Sequence, residues 1–361
     1  MKSATMSAPV NTDRGFRLAS KPTGTAEITS AVTQIKTTVI GVPSILAKRS
    51  VSKRTAAPSH ALELPLMKLL WTILPITVAA CTASGKVTGS DGDPWLPPAA
   101  PGHSWQLSFS EEFDGTTYDA AKLTPCFDWN YGGCTGSFNQ GREYYAASQI
   151  HVSGGAAHLV AEPTSPPIAS GACQNGSCTY LSGLLSTARP RADNGSAYLY
   201  KFTYGYVEAR LKLIGTRGFF TAFWMLPTDT TYTYRTEIDI LEHLGNDPQT
   251  MFMTYHYNDR STSFAVNSGV GNNGACPVQD YTTDFHRFGI DWQADHVAWY
   301  IDGIKCAQFD GNASTIENGP MQIILDVMVD NTWQRSWNVG LVDSTLTRQL
   351  DVDYIRVFQQ H

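Results

Sequence analysis

What the chain has little of narrows its class first. Apolar residues recur hardly anywhere at helical spacing, which argues against a helix bundle or an α/β layer fold. No apolar run reaches the roughly 18 residues of a membrane-spanning helix; the run from Leu69 to Ala80 stops at a dozen. None of the seven cysteines forms a C-x-x-C pair, so a structural zinc site is not expected. Basic charge is scarce in the body of the protein, where residues 101–361 hold 15 Lys/Arg against 27 Asp/Glu, a formal charge of −12. A surface of that sign repels phosphate backbones, and nucleic acid is excluded as a partner. There is no internal repeat.

The first hundred residues differ from the rest. Residues 1–66 carry nine Lys/Arg against three acids, are rich in Ser, Thr and Ala, and show no sustained apolar period. They read as a disordered N-terminal extension, or as one misassigned ahead of the true start. From Met67 a lysine, a dozen apolar residues and small residues before Cys81 make a secretory signal over 67–81. Val78-Ala79-Ala80-Cys81 also resembles a lipoprotein box, in which a lipidated Cys81 would attach the protein to a membrane. Setting Cys81 aside leaves six cysteines in sequence-near pairs, 126 with 134, 173 with 178 and 276 with 306. An even remainder behind a signal suggests disulfides and an extracytoplasmic location, secreted or at the cell surface. Residues 82–103 read as a Gly/Ser/Pro linker, and 104–361 as one monomeric domain.

That domain reads as all-β. Short runs recur between turn signals, the clearest being His151 to Glu162, Gly205 to Leu213, Phe219 to Leu226, Thr236 to His243, Thr250 to Tyr257, Phe285 to Trp292, Met321 to Met328 and Leu350 to Phe358. Asp302-Gly303 sits between Val297–Ile301 and a second β run, and this pair closes tight hairpins. The pattern suggests a two-sheet β-jelly-roll sandwich. Trp129, Tyr131, Tyr144, Tyr145, Trp224, Trp333 and Trp337 lie in or beside polar, Gly-containing segments, where aromatic rings suit the C–H faces of sugars. Trp292 and Trp299, inside strong strand runs, belong to the core.

One stretch carries chemistry. Glu237-Ile-Asp239-Ile-Leu-Glu242-His243 places three carboxylates on a strand. Glu237 and Asp239 share a face by alternation, whereas Glu242 joins them only if a β-bulge absorbs one residue between Asp239 and Glu242. Two Glu side chains leaning together across the remaining steps could approach the roughly 5–5.5 Å carboxyl separation of retaining glycosidases. Bunched like charges also raise the proton affinity of at least one member, as a general acid requires. A metal site built from Glu242, His243 and His256 is disfavoured, because adjacent strand residues point apart.

Glu237 to Glu242 matches the E-x-D-x-x-E signature of family 16 glycoside hydrolases, in the bulged form of laminarinase-like members. Further segments resemble the family in its order: Ser108 to Gly115 the opening strand, Tyr204-Gly-Tyr-Val-Glu208-Ala-Arg210 the "YGxxEAR" strand, Ala222-Phe-Trp224-Met-Leu-Pro227 "AFWLLP", Phe285 to Trp292 "FHxYxxxW", and Val352-Asp353-Tyr-Ile-Arg356-Val357 the closing strand. The resemblance implies a concanavalin-like sandwich that cuts a β-linked polysaccharide internally with retention, most simply β-1,3- or β-1,3-1,4-glucan. Glu237 would be the nucleophile, Glu242 the acid/base and Asp239 the residue that hydrogen-bonds the nucleophile. Trp224, His256, Trp333, Arg142 and Glu143 would contact the sugar. No cofactor is required, but Glu112, Asp353 and a carbonyl near Gly155 would hold a structural calcium ion. Where many relatives have "NNE" and "GGxW", this chain has Gln140-Gly-Arg142-Glu143 and Val329-Asp330-Asn331-Thr332-Trp333, and Arg142 would suit an anionic or substituted glycan. The competing readings are a transglycosylase, a hydrolase of another β-glycan such as a galactan or exopolysaccharide, and a lectin-like module that binds without cutting.

Overall fold

In a computed structural model, the residues described are 94–127, 139–189, 197–228, 236–257 and 276–361, with the backbone of strand Arg260–Val266. The expected signal, Cys81, Trp129, Tyr131 and Cys134 lie outside them. The described residues form, in order, β1 (Trp105–Glu111), β2 (Glu143–Tyr145), β3 (Ile150–Ser153), β4 (Ala156–Ala169), β5 (Ser177–Ser182), β6 (Leu184–Ser186), β7 (Gly205–Lys212) and β8 (Phe219–Pro227). There follow β9 (Glu237–Leu244), β10 (Met251–Tyr257), β11 (Arg260–Val266), β12 (His286–Trp292), β13 (His296–Ile301), β14 (Ile304–Asp310), β15 (Met321–Val329), the short helix α1 (Thr332–Ser336) and β16 (Arg348–Gln360). Among them no helix is long and apolar enough to cross a membrane.

Two sheets result, as the strand pattern predicts. Ten strands form one, in the order β14-β13-β12-β7-β16-β4-β5-β2 with β1 on β16 and β3 on β4; six form the other, β11-β10-β9-β8-β15-β6. One apolar core draws on both, including Val207, Ile290, Trp292 and Trp299 from the larger sheet and Phe223, Ile238, Tyr255 and Leu325 from the smaller. Strand alternation then sorts the six-stranded sheet. On β8, Phe219, Phe223 and Met225 enter that core, while Phe220, Ala222, Trp224 and Leu226 form a second cluster on the outer face with Leu184, Phe252, Ile324 and Met328. A third cluster covers the back of the ten-stranded sheet, where Trp105, Tyr206, Tyr300 and Phe358 meet.

The Asp302-Gly303 hairpin forms as expected, with both residues at positive φ (49° and 75°) and Ile301 paired to Ile304. Disulfides join Cys173 to Cys178 and Cys276 to Cys306, and Cys126 is disulfide-bonded as well. The expected linker ends earlier than its composition suggests. Leu96 and Ala99 pack on the back cluster, Trp105 Nε1 donates to the Pro97 carbonyl at 2.7 Å, and the Arg287 guanidinium lies over the Trp95 ring. Residues 94–103 are therefore part of the folded domain, because the outer face of the sheet offers them apolar surface to cover.

Candidate active site

β9 lies between β8 and β10 in the six-stranded sheet. Against β8 the pairing runs Phe223 to Leu241 and then Trp224 to Asp239, leaving Ile240 as the extra residue. Against β10, Phe252 faces Glu242 and Thr254 faces Asp239, so two steps oppose three. This is the bulge that the spacing requires. Its extra side chain goes inward: Ile238, Ile240 and Leu241 all enter the main core. Glu237, Asp239 and Glu242 are thereby left to the outer face. From the opposite sheet, Trp299 Nε1 donates to the Asp239 carbonyl at 2.8 Å and ties down the backbone where the bulge begins.

Neighbouring strands complete the group. His256 is the cross-strand partner of Glu237, and its Nε2 lies 3.1 Å from Asp239 Oδ2. Asp239 is almost completely buried, whereas Glu237 and Glu242 are partly exposed. The carboxyl of Glu237 is held well above the usual carboxylate range, by burial first and then by the charge of Asp239 and a hydrogen bond with it, against the pull of His256. Glu242 is raised likewise, by burial and by Asp239, with Glu237 and Asp326 adding to the effect and His256 opposing it. Burial alone would lower His256, but its bond to Asp239 and the three surrounding carboxylates carry it up to about 9. At neutral pH the histidine is an imidazolium among acids that compete for protons.

Single ligand atoms of Glu237, Asp239 and His256 come within 4.8 Å of one another, close enough to surround an ion. The set is joined by a hydrogen bond, with His256 Nε2 3.1 Å from Asp239 Oδ2. His243 plays no part in the group. It is wholly buried and its Nδ1 lies 3.2 Å from the Thr250 carbonyl oxygen.

Trp224 is on the expected face, beside Asp239, but is only 3% exposed. Its Nε1 donates to Asp326 Oδ1 at 2.8 Å, while Tyr145 OH donates to Asp326 Oδ2 at 2.8 Å. Asp326 is a component that sequence reading missed. It sits in one cross-strand row with Ala222 and Glu242, the small alanine lying between two carboxylates. Burial raises its carboxyl to about 6, although both hydrogen bonds favour the ion. The signal was present as a lone acid within the apolar run of β15. Trp333 also reaches the outer cluster, edge-on to Phe220 and Phe252 at centroid distances of 5.3 Å.

Three expectations need correction. Glu143 is fully buried, and its Oε2 accepts from the Val329 backbone N–H at 2.8 Å, so it supports the strand end rather than offering itself to a sugar. Arg142 Nε is 2.6 Å from Asp330 Oδ2 and 3.1 Å from Gln174 Oε1. Its charge is matched internally, and the two departures from the family pattern, Arg142 and Asp330, form one ion pair. The calcium set does not fit a cation either. Glu112 is engaged in a bidentate pair with Arg356 at 2.8 and 2.9 Å, and Asp353 pairs with Arg210 at 2.9 Å. Guanidinium groups already hold the carboxylates that would meet at an ion beside Gly155.

Comparison with known proteins agrees with this geometry. Residues 186–356 match the model of the glycosyl hydrolases family 16. A β-glucanase of Rhodothermus marinus is 28% identical over 272 residues, spanning 71% of this chain and 85% of its own length. The endo-1,3-1,4-β-glycanase EglC of Rhizobium meliloti is 27% identical over 59% of this chain, which covers only 40% of that longer protein. Among solved structures, SCLam, a non-specific endo-β-1,3(4)-glucanase, superimposes with a TM-score of 0.58 at 26% identity, covering 74% of this chain and 95% of its own.

Proposed function

We propose that the chain is a glycosyl hydrolase of family 16, an endo-acting β-glucan hydrolase that works with retention; the family match over residues 186–356 and the β-glucanase relatives support the reading. The observation that carries the reading is the bulge, which turns Glu242 onto the face of Glu237 and Asp239. In the first step Glu237 attacks the anomeric carbon as its bond to the leaving oxygen breaks, and Glu242 gives that oxygen its proton. In the second, Glu242 takes a proton from water, the water oxygen bonds to the anomeric carbon, and Glu237 leaves as a carboxylate. Asp239 and the cationic His256 bias the proton count of the pair through their hydrogen bond and charge. They are positioning residues.

A β-1,3- or mixed-linked glucan is the favoured substrate, since the names of EglC and SCLam carry those linkages and Arg142 is paired with Asp330. Export through segment 67–81, with Cys81 as the lipidation point, belongs to the same reading; the two described disulfides support it, because such bonds persist in oxidising compartments. Reducing-end release from laminarin, lichenan, xyloglucan and agarose tests the substrate, and inactivity on both glucans would sink it. Glu242→Gln is expected to lower kcat by about 10²- to 10⁴-fold, the usual contribution of a general acid. An inverted first anomer by NMR would refute the covalent mechanism. Mapping the mature N-terminus by mass spectrometry tests export, and a mature chain beginning at residue 1 would refute cleavage at Cys81.

A further inference from the structure

Trp337 follows α1, and 51% of its surface is open to solvent, although it has an apolar cluster to pack against. Its ring stands edge-on to Phe252 at 5.4 Å and to Trp333 at 5.7 Å. Phe252 is in turn the cross-strand partner of Glu242. The aromatic row therefore begins beside the acids and ends at an exposed indole, roughly 10 Å away by two neighbour steps.

The supporting segment is well anchored. Asn331 and Gln334 form a reciprocal cap at the start of α1, Thr332 Oγ1 donates to the Asn139 carbonyl at 2.8 Å, and the Trp337 N–H bonds back to Trp333 O at 3.2 Å. A large apolar ring held outward on a fixed backbone loses little freedom when it stacks on a flat ligand. Trp224, by contrast, is enclosed and its indole N–H is committed to Asp326.

We propose that Trp337, backed by Trp333 and Phe252, is a distal sugar platform that takes a pyranose ring of the glucan some units away from the bond being cut. This rests on the glucanase reading above. The C–H face of a β-linked glucose is apolar and its rim polar, which matches an indole face with open solvent around it.

The experiment measures kcat/KM of the full chain on laminari-oligosaccharides of three to seven units, for the parent, Trp337→Ala and Trp337→Phe. The loss in Trp337→Ala is expected to grow with chain length, reaching about tenfold for the longest, equal to about 1.4 kcal/mol. Trp337→Phe should recover most of it. An equal loss at every length, or none at any length, would overturn the platform. A parent that cleaves no laminari-oligosaccharide would instead overturn the underlying glucanase reading, and the platform with it.

Discussion

At the scale of single residues, Asp326 shows how one buried acid can serve both structure and proton chemistry. It holds the indole of Trp224 and the hydroxyl of Tyr145, and it stands one alanine away from Glu242. Glu242 is also faced by Glu237, Asp239 and His256. Asp326→Asn keeps an oxygen for Trp224 and removes the charge, while its amide NH2 turns the Tyr145 hydroxyl from donor to acceptor. The ionised form of Glu242 then becomes less costly, so the alkaline limb of the kcat/KM profile is expected to move to lower pH. Asp326→Ala also removes the acceptor that Trp224 Nε1 and Tyr145 OH share and should cost about 1–3 kcal/mol in chemical denaturation. A profile unmoved in Asp326→Asn would show that the acid acts through packing alone. Arg142 teaches the opposite lesson, since a cation that sequence alone assigned to the ligand belongs to Asp330.

At the scale of elements, the bulge is what makes β9 chemical, and Trp299 holds it from the opposite sheet. Trp299→Phe removes the donor to the Asp239 carbonyl while keeping an aromatic ring. About 1–3 kcal/mol of stability should be lost, with kcat falling more than KM rises; a purely structural indole would lower Tm and leave kcat unchanged. Much of this was legible in advance. β7, β8, β9, β10, β12 and β15 were visible as alternating or apolar runs, and the bulge followed from five residues separating two acids that had to share a face. Three features were hidden for physical reasons. β2 and β6 have three residues each, too few to show a period. Asp326 looks like an interruption of an apolar strand until its partners from β8 and β2 are seen. The Pro-rich 94–103 segment has a linker's composition, and only the exposed back of the larger sheet gives it something to cover.

At the scale of the whole molecule, the site leaves a mark on stability. His256 has a folded-state value of about 9, above its ordinary 6.5, so its contribution is full below about pH 6.5 and is lost as pH rises towards 9. Glu237 and Glu242 are raised too, so they favour the fold while protonated and weaken it as they ionise. All three act in the same direction. Tm is expected to fall between about pH 6.5 and 9, and the gap between the parent and His256→Asn should be widest near pH 6.5 and close towards pH 9. A constant gap would mean that His256 is not an imidazolium in the fold. The strip from 94 to 103 bears on how such a domain would meet its polymer. It lies on the back of the ten-stranded sheet, whereas the acids open from the outer face of the other. Residues 94–103 thus lie on the side away from the acids, and a polysaccharide that reaches Glu237 and Glu242 from the outer face of the six-stranded sheet does not meet them.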